Sequence, residues 1–153
     1  MALGESRQVF QTDINCTVSG VAERGGILSY VPGVAGLCAY ADATAVSGQT
    51  AKPAGLLLDD VEALNFFRHP EYRQRNVVPQ GSVVGVVTEG ELLTDFVETT
   101  IAGFGALTYA PGDVLYMADN GFVSNHQTGD RVVIGTALSA VGSDGFIKIR
   151  VEI

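Results

Sequence analysis

The densest group of carboxylates in the chain is Asp59, Asp60 and Glu62, residue types that could hold a divalent cation or act as an acid and base pair. On an extended backbone Asp60 and Glu62 share one face and Asp59 takes the other, so three converging ligands are not expected. A solvated edge is the simpler reading, since charged side chains are mostly exposed. His69 and His126 stand singly, at no ligand spacing from Cys16 or Cys38, whereas structural zinc needs about four donors. Asp119-Asn120-Gly121 lacks the alternating carboxylates and closing Glu of a calcium loop and reads as a turn. Gly103-Phe104-Gly105 is followed by neither a third Gly nor the Lys-Ser/Thr pair that cradles phosphate, and there is no Gly-x-Ser-x-Gly elbow. No enzyme, metal site or cofactor is expected from these residues.

One electrostatic feature stands out. Arg68, Arg73 and Arg75 place three of the nine basic residues within eight positions, with Tyr72 among them, on a chain whose formal charge is −8. Arg forks match carboxylates bidentately and Tyr adds a flat apolar face, a combination enriched at protein interfaces. The competing reading is a solvated set of local ion pairs with Glu71 and neighbouring acids. Pro70 discourages regular structure, so residues 68–75 are expected to form a loop or turn.

The acidic balance of 17 Asp and Glu against nine Lys and Arg repels phosphate backbones and acidic membranes, which argues against nucleic acid or a membrane as partner. No stretch reaches the roughly 18 apolar residues of a membrane span, and the first residues lack the apolar region of a secretory leader, so a cytoplasmic origin is expected. In that compartment Cys16 and Cys38 read first as small buried hydrophobes, with a disulfide or a reactive thiol as the alternatives. At 153 residues and 46% apolar content the chain suits one domain with a real core, and its 19 Gly make it loop-rich.

The elements that must position these groups are strands. In the last eight residues Ile147, Ile149, Val151 and Ile153 alternate with Lys148, Arg150 and Glu152, the period of a half-buried strand, and Asp144-Gly145 turns the chain into it. Its partner is expected to be residues 131–138. Residues 113–117 and 122–124 flank Asn120-Gly121, the strongest short hairpin signal, so the last third reads as a meander of about four strands. Residues 82–88 and 92–97 read as a second hairpin turning at Gly90. Phe10, Thr12, Ile14, Cys16 and Val18 share one side of residues 9–18, which fits a first strand or an extended arm laid on a neighbour. Residues 27–40 are apolar but interrupted by Pro32, Gly33 and Gly36, residues 41–54 read as a surface loop, and residues 55–66 suit strand and helix about equally.

Taken together, Gly112-Asp113-Val114-Leu115-Tyr116, Asp119-Asn120-Gly121-Phe122-Val123, Val133-Ile134-Gly135-Thr136-Ala137-Leu138 and the terminal ribbon from Gly145 resemble the capsid cement, or head decoration, proteins of tailed bacteriophages. The stretch from Pro53-Ala54-Gly55-Leu56-Leu57-Leu58-Asp59-Asp60-Val61 through the Arg-rich segment to Val77 and Thr88 resembles the middle of longer members, so the likeness covers roughly residues 50–153. The resemblance implies a non-enzymatic β-rich protein, usually a homotrimer, that sits on the outside of an assembled head and clamps neighbouring major capsid proteins. It also favours strand for residues 55–66.

The expectation is therefore an all-β or nearly all-β fold, a small barrel or sandwich, with residues 1–50 as an extended, irregular arm and residues 51–153 as the β-rich core of a single domain. Candidate interface residues are Phe10, Ile14, Arg68, Tyr72, Arg73 and Arg75. The expected partners are the major capsid protein and further copies of the chain, on the virion surface after synthesis in the host cytoplasm. The alternatives are a small trimeric β-rich nucleotide hydrolase, using carboxylates such as Asp59, Asp60 and Asp95, and a tail or baseplate component.

Overall fold

A computed structural model describes residues 8–40, 52–60, 77–78, 80–129 and 131–153. Within them the chain is nearly all β, with no α-helix. The strands are β1 (Gln8–Val18), β2 (Ala22–Glu23), β3 (Ile27–Tyr30), β4 (Leu37–Tyr40), β5 (Lys52–Asp60), β6 (Val77–Val78) and β7 (Val83–Thr94). They continue as β8 (Thr100–Ile101), β9 (Gly105–Ala106), β10 (Val114–Met117), β11 (Val123–Ser124), β12 (Val133–Ala137) and β13 (Ile147–Glu152).

Five strands close into a barrel in the order β1-β4-β3-β5-β7, because β7 pairs with β5 on one flank and with β1 on the other. Within the barrel, among the described residues, only the β1–β4 contact is parallel, through Thr17↔Leu37 and Val18↔Cys38. Four further strands leave the barrel from β7 in the order β13-β12-β10-β11. The pairs β2–β6 and β8–β9 are separate two-stranded ladders.

Two buried clusters form, one drawn from the barrel strands and the other shared between barrel strands and the added sheet. Cys16, Val18, Leu28, Cys38, Leu57, Val84 and Val86 belong to one buried cluster, and Ile27, Leu56, Val87, Leu92, Leu115, Ile134, Ile147, Ile149 and Val151 belong to the other. Strand β7 feeds both. The register Thr12↔Val87 and Gln11↔Glu89 leaves Thr88 without a partner of its own in β1, and such a bulge exchanges the faces of every later residue. Val84 and Val86 thus serve the first cluster, while Leu92 joins Val87 in the second.

The expected hairpin at residues 82–97 is absent. Val83–Thr94 is one continuous strand, and Gly90 lies buried in its middle opposite Val151 instead of turning the chain. The Glu89-Gly90-Glu91 sequence imitates a turn, but β13 on one side and β1 on the other hold it extended.

The terminal strand behaves as its alternation predicts. Ile147, Ile149 and Val151 are fully buried, each worth roughly 1.5–3 kcal/mol of burial, and β13 pairs antiparallel with β12. Ile153 is the exception: it lies just past the strand, its N–H donates to the Thr88 carbonyl at 2.9 Å, and its side chain is exposed. The last four strands are also not a simple meander. β10 pairs with both β11 and β12, so the chain steps over β10 between the two. The Asp119–Gly121 turn forms as expected, with Asn120 at φ 57°, a conformation Asn tolerates.

Residues 52–54, read as loop, belong to β5, which extends the strand expected from residue 55. Residues 27–40 form the β3–β4 hairpin around Pro32 and Gly33. In β1 the alternation is broken by register shifts, so Thr12 is exposed while Cys16 and Val18 are buried. The cysteines are joined as Cys16–Cys38, with Cα atoms 5.8 Å apart, which replaces the reading of two isolated thiols. That bond ties β1 to β4, a contact made by only two register pairs.

Tyr109 anchors the loop ahead of β10, its hydroxyl donating to the Glu98 carbonyl at 2.6 Å. Burial pushes its phenol up to about 12, above the ordinary 10.0. The folded state therefore holds this proton more tightly than the unfolded chain. The resulting stability is complete below pH 10 and is lost as pH rises from 10 through 12. Alkaline titration followed by tyrosinate absorbance and circular dichroism should show one tyrosine ionising together with unfolding in that window. In Tyr109→Phe that coupled step should vanish; its persistence would reject the assignment.

Candidate functional site

Two regions bring chemically expressive side chains together. The first is the outward face of the sheet formed by β7, β13, β12 and β10. Reading across paired strands, Glu91, Arg150, Thr136 and Val114 stand in one row, and Gln8 of β1 extends it. The polar half of this face is an ion-pair cluster: Arg150 Nη2 donates to Glu91 Oε1 at 2.7 Å, and Lys148 Nζ lies 3.0 Å from Glu91 Oε2. The hydrogen bond from Arg150, followed by that from Lys148, holds the Glu91 carboxyl below its ordinary value of 4.5. The other half is apolar, with Val114 at 42% and Val133 at 51% exposure. The opposite side of these strands buries Leu115, Met117, Ile134 and Ala137.

The face is stiffened from its far end. Arg131, with only 6% of its side chain exposed, grips both carboxylate oxygens of Glu98 at 2.9 and 3.3 Å. Asp113 accepts hydrogen bonds from Ala110 N–H at 2.9 Å and Asn125 Nδ2 at 3.0 Å, which lower its pKa and fix the turn into β10. Phe104, at the tip of the β8–β9 hairpin, is 66% exposed, and its ring centroid lies 4.0 Å from that of His126. The His126 Nδ1 is 2.8 Å from Thr128 Oγ1. Position and contacts make His126 a surface side chain, as expected for a loop residue.

The second region is a cavity of about 380 Å³ where barrel and sheet meet. Its lining comes from Glu23 of β2, Tyr40 at the end of β4, Asp95 and Phe96 just after β7, and Asn120 and Phe122 around the Asp119–Gly121 turn. Phe96 sits between the other two rings, with centroids 6.0 Å from Tyr40 and 5.4 Å from Phe122. Tyr40 accepts the Glu23 N–H on its hydroxyl, and its ring packs close to two glycines. A Cβ on Gly121 would come within 2.5 Å of the Tyr40 ring, and one on Gly26 within 2.7 Å.

The candidates named from sequence are only partly placed. Phe10 and Ile14 belong to β1, whose backbone runs along β7, but their side chains lie outside the described residues. Arg68, Tyr72, Arg73 and Arg75 lie wholly outside them, as do Glu62 and His69. Asp59 and Asp60 end β5, and their side chains are likewise outside the description. Among the described residues no group of three or more His, Cys, Asp or Glu could hold a metal ion.

Fold and surface define an all-β barrel with an antiparallel sheet built onto its long shared strand, presenting a half-apolar, half-ionic outer face. No protein-family model matches the chain, and no curated protein matches it either.

Proposed function

We propose that this protein is a structural component of a phage virion that binds the outside of the assembled head and stabilises contacts between major capsid proteins. The observation that carries the reading is the sheet's outer face, where exposed Val114 and Val133 adjoin the Glu91–Lys148–Arg150 cluster. An apolar patch rimmed by charge suits burial against another protein surface. Added to it are the resemblance of residues 50–153 to capsid cement proteins and an acidic balance unsuited to nucleic acid or membranes. A ligand that binds only the assembled shell stabilises it by mass action, and a homotrimer multiplies weak contacts through simultaneous engagement.

Mass measurement in solution should give three times the 16.0 kDa of one chain. Val114→Asp with Val133→Asp should lower affinity for purified heads by at least about tenfold, and Arg68→Ala, Arg73→Ala and Arg75→Ala together should lower occupancy, both without unfolding the free protein. Unchanged occupancy in both variants would reject the surface assignment. A monomeric mass would reject the trimer.

A further inference from the structure

We infer that the junction cavity is a binding site for a neutral cyclic saccharide. Its lining is amphipathic. Phe96, at 9% exposure, forms a floor, and the half-buried rings of Tyr40 and Phe122 flank it with centroids 6.0 and 5.4 Å away. Glu23 and Asn120 supply the polar part. Asn120 is exposed, and its amide makes no hydrogen bond among the described residues, which leaves two N–H donors and a carbonyl acceptor for a ligand. The half-buried Glu23 carboxylate adds acceptor capacity. Asp95, whose Oδ1 is buried, shapes the wall and is not a ligand contact.

This combination selects among ligand classes. No Lys, Arg or His lines the cavity, so a phosphate or other anion would be buried there without a counter-charge. A purely apolar ligand would strip water from Asn120 and Glu23 and return no hydrogen bond. A flat heterocycle stacks best between parallel faces, and Phe96 is tilted 39° from Tyr40 and 48° from Phe122. A pyranose meets all three constraints. It is uncharged, its C–H groups give a puckered apolar face that suits a curved wall of rings, and its hydroxyls both donate and accept around the edge. The volume of about 380 Å³ lies within the range of small-ligand sites.

The walls stand before any ligand arrives. Gly26 and Gly121 seat the Tyr40 ring, the Tyr40 hydroxyl is tied to the Glu23 N–H, and the Asp119–Gly121 turn sets Asn120 beside Phe122. A site held in this way loses little entropy on binding.

The test is titration of the intact protein with the methyl glycosides of glucose, galactose, mannose and N-acetylglucosamine, followed by amide NMR shifts and saturation transfer to the sugar C–H protons. Three controls separate the contributions: sorbitol has the hydroxyls without the ring, cyclohexanol a ring with a single hydroxyl, and choline a positive charge. At least one glycoside should bind saturably, with shifts centred on Phe96, Asn120 and Phe122. Asn120→Asp, which tolerates the same left-handed conformation but loses the N–H donors, should weaken that binding by at least about tenfold. Phe122→Leu, which keeps an apolar side chain without the ring, should do the same, and either variant decides should the other not fold. The inference is overturned if no glycoside binds, if sorbitol, cyclohexanol or choline produces the same shifts, or if either folded variant retains full affinity. It stands apart from the head-binding reading, since neither its probes nor its readout involves a capsid.

Discussion

Gly135→Ala is expected to remove a large part of the fold's stability. An alanine Cβ at this position would lie 1.8 Å from the Arg150 carbonyl oxygen and 3.1 Å from the Val151 Cα, and φ of 154° is already unfavourable for an L side chain. The obstacle is backbone, so no rotamer change relieves it. Strand β13 cannot retreat, because its other edge is held by the ladder from Ile147↔Thr94 to Glu152↔Glu89. Separating β12 from β13 would open the core that Ile134, Ala137, Ile149 and Val151 close. The cost should exceed about 4 kcal/mol, against a total stability on the order of 5–15 kcal/mol for a domain. Gly20→Ala is the control: nothing lies within 4 Å of its Cβ, and its stability should stay within about 0.5 kcal/mol of wild type. Urea unfolding of both variants checks the pair, and a Gly135→Ala protein with wild-type midpoint would refute the close approach of these strands.

Reduction of Cys16–Cys38 should have the next largest effect. Linking residues 22 apart removes unfolded-chain entropy worth about 3 kcal/mol, and the bond reinforces the one parallel contact in the barrel. For a chain of this length that corresponds to a fall in Tm of roughly 10 °C. The comparison is wild type with and without a thiol reductant, with Cys16→Ala/Cys38→Ala as the form that reductant should no longer change. Because both sulfurs lie in the barrel's buried cluster, reduction should be slow until the barrel opens. A transition indifferent to reductant would show that the β1–β4 contact does not depend on the crosslink.

The alternation of residues 147–152 and the Asn120-Gly121 turn were legible because each is a local pattern with one physical cause. Strand period gave the buried face of β13, and the left-handed preference of Asn gave the turn. What was not legible depends on partners distant in sequence. Glu89-Gly90-Glu91 has the composition of a turn, and only pairing with β1 and β13 makes it strand. Val84, Val86 and Leu92 share an even-numbered period in the sequence, and the bulge at Thr88, which no local signal marks, breaks it and sends Leu92 to the other cluster. A 22-residue spacing says nothing about whether two cysteines meet, since that follows from β4 returning beside β1. The junction cavity is assembled from Glu23, Tyr40, Asp95, Phe96, Asn120 and Phe122, nearly a hundred residues apart at the extremes. Asp95 was visible only as one acid among several. No local signal marks it, because its distinguishing property is an oxygen buried by the fold.

The double duty of β7 has a mechanical consequence. Its flanks carry β5 and β13 on one edge and β1 on the other, and its two faces seed separate hydrophobic clusters. A force drawing barrel and sheet apart along the strand axis must shear several ladders at once instead of unzipping them one bond at a time. Shared in this way, tension on either half is borne by the whole molecule, and the protein yields as a single unit.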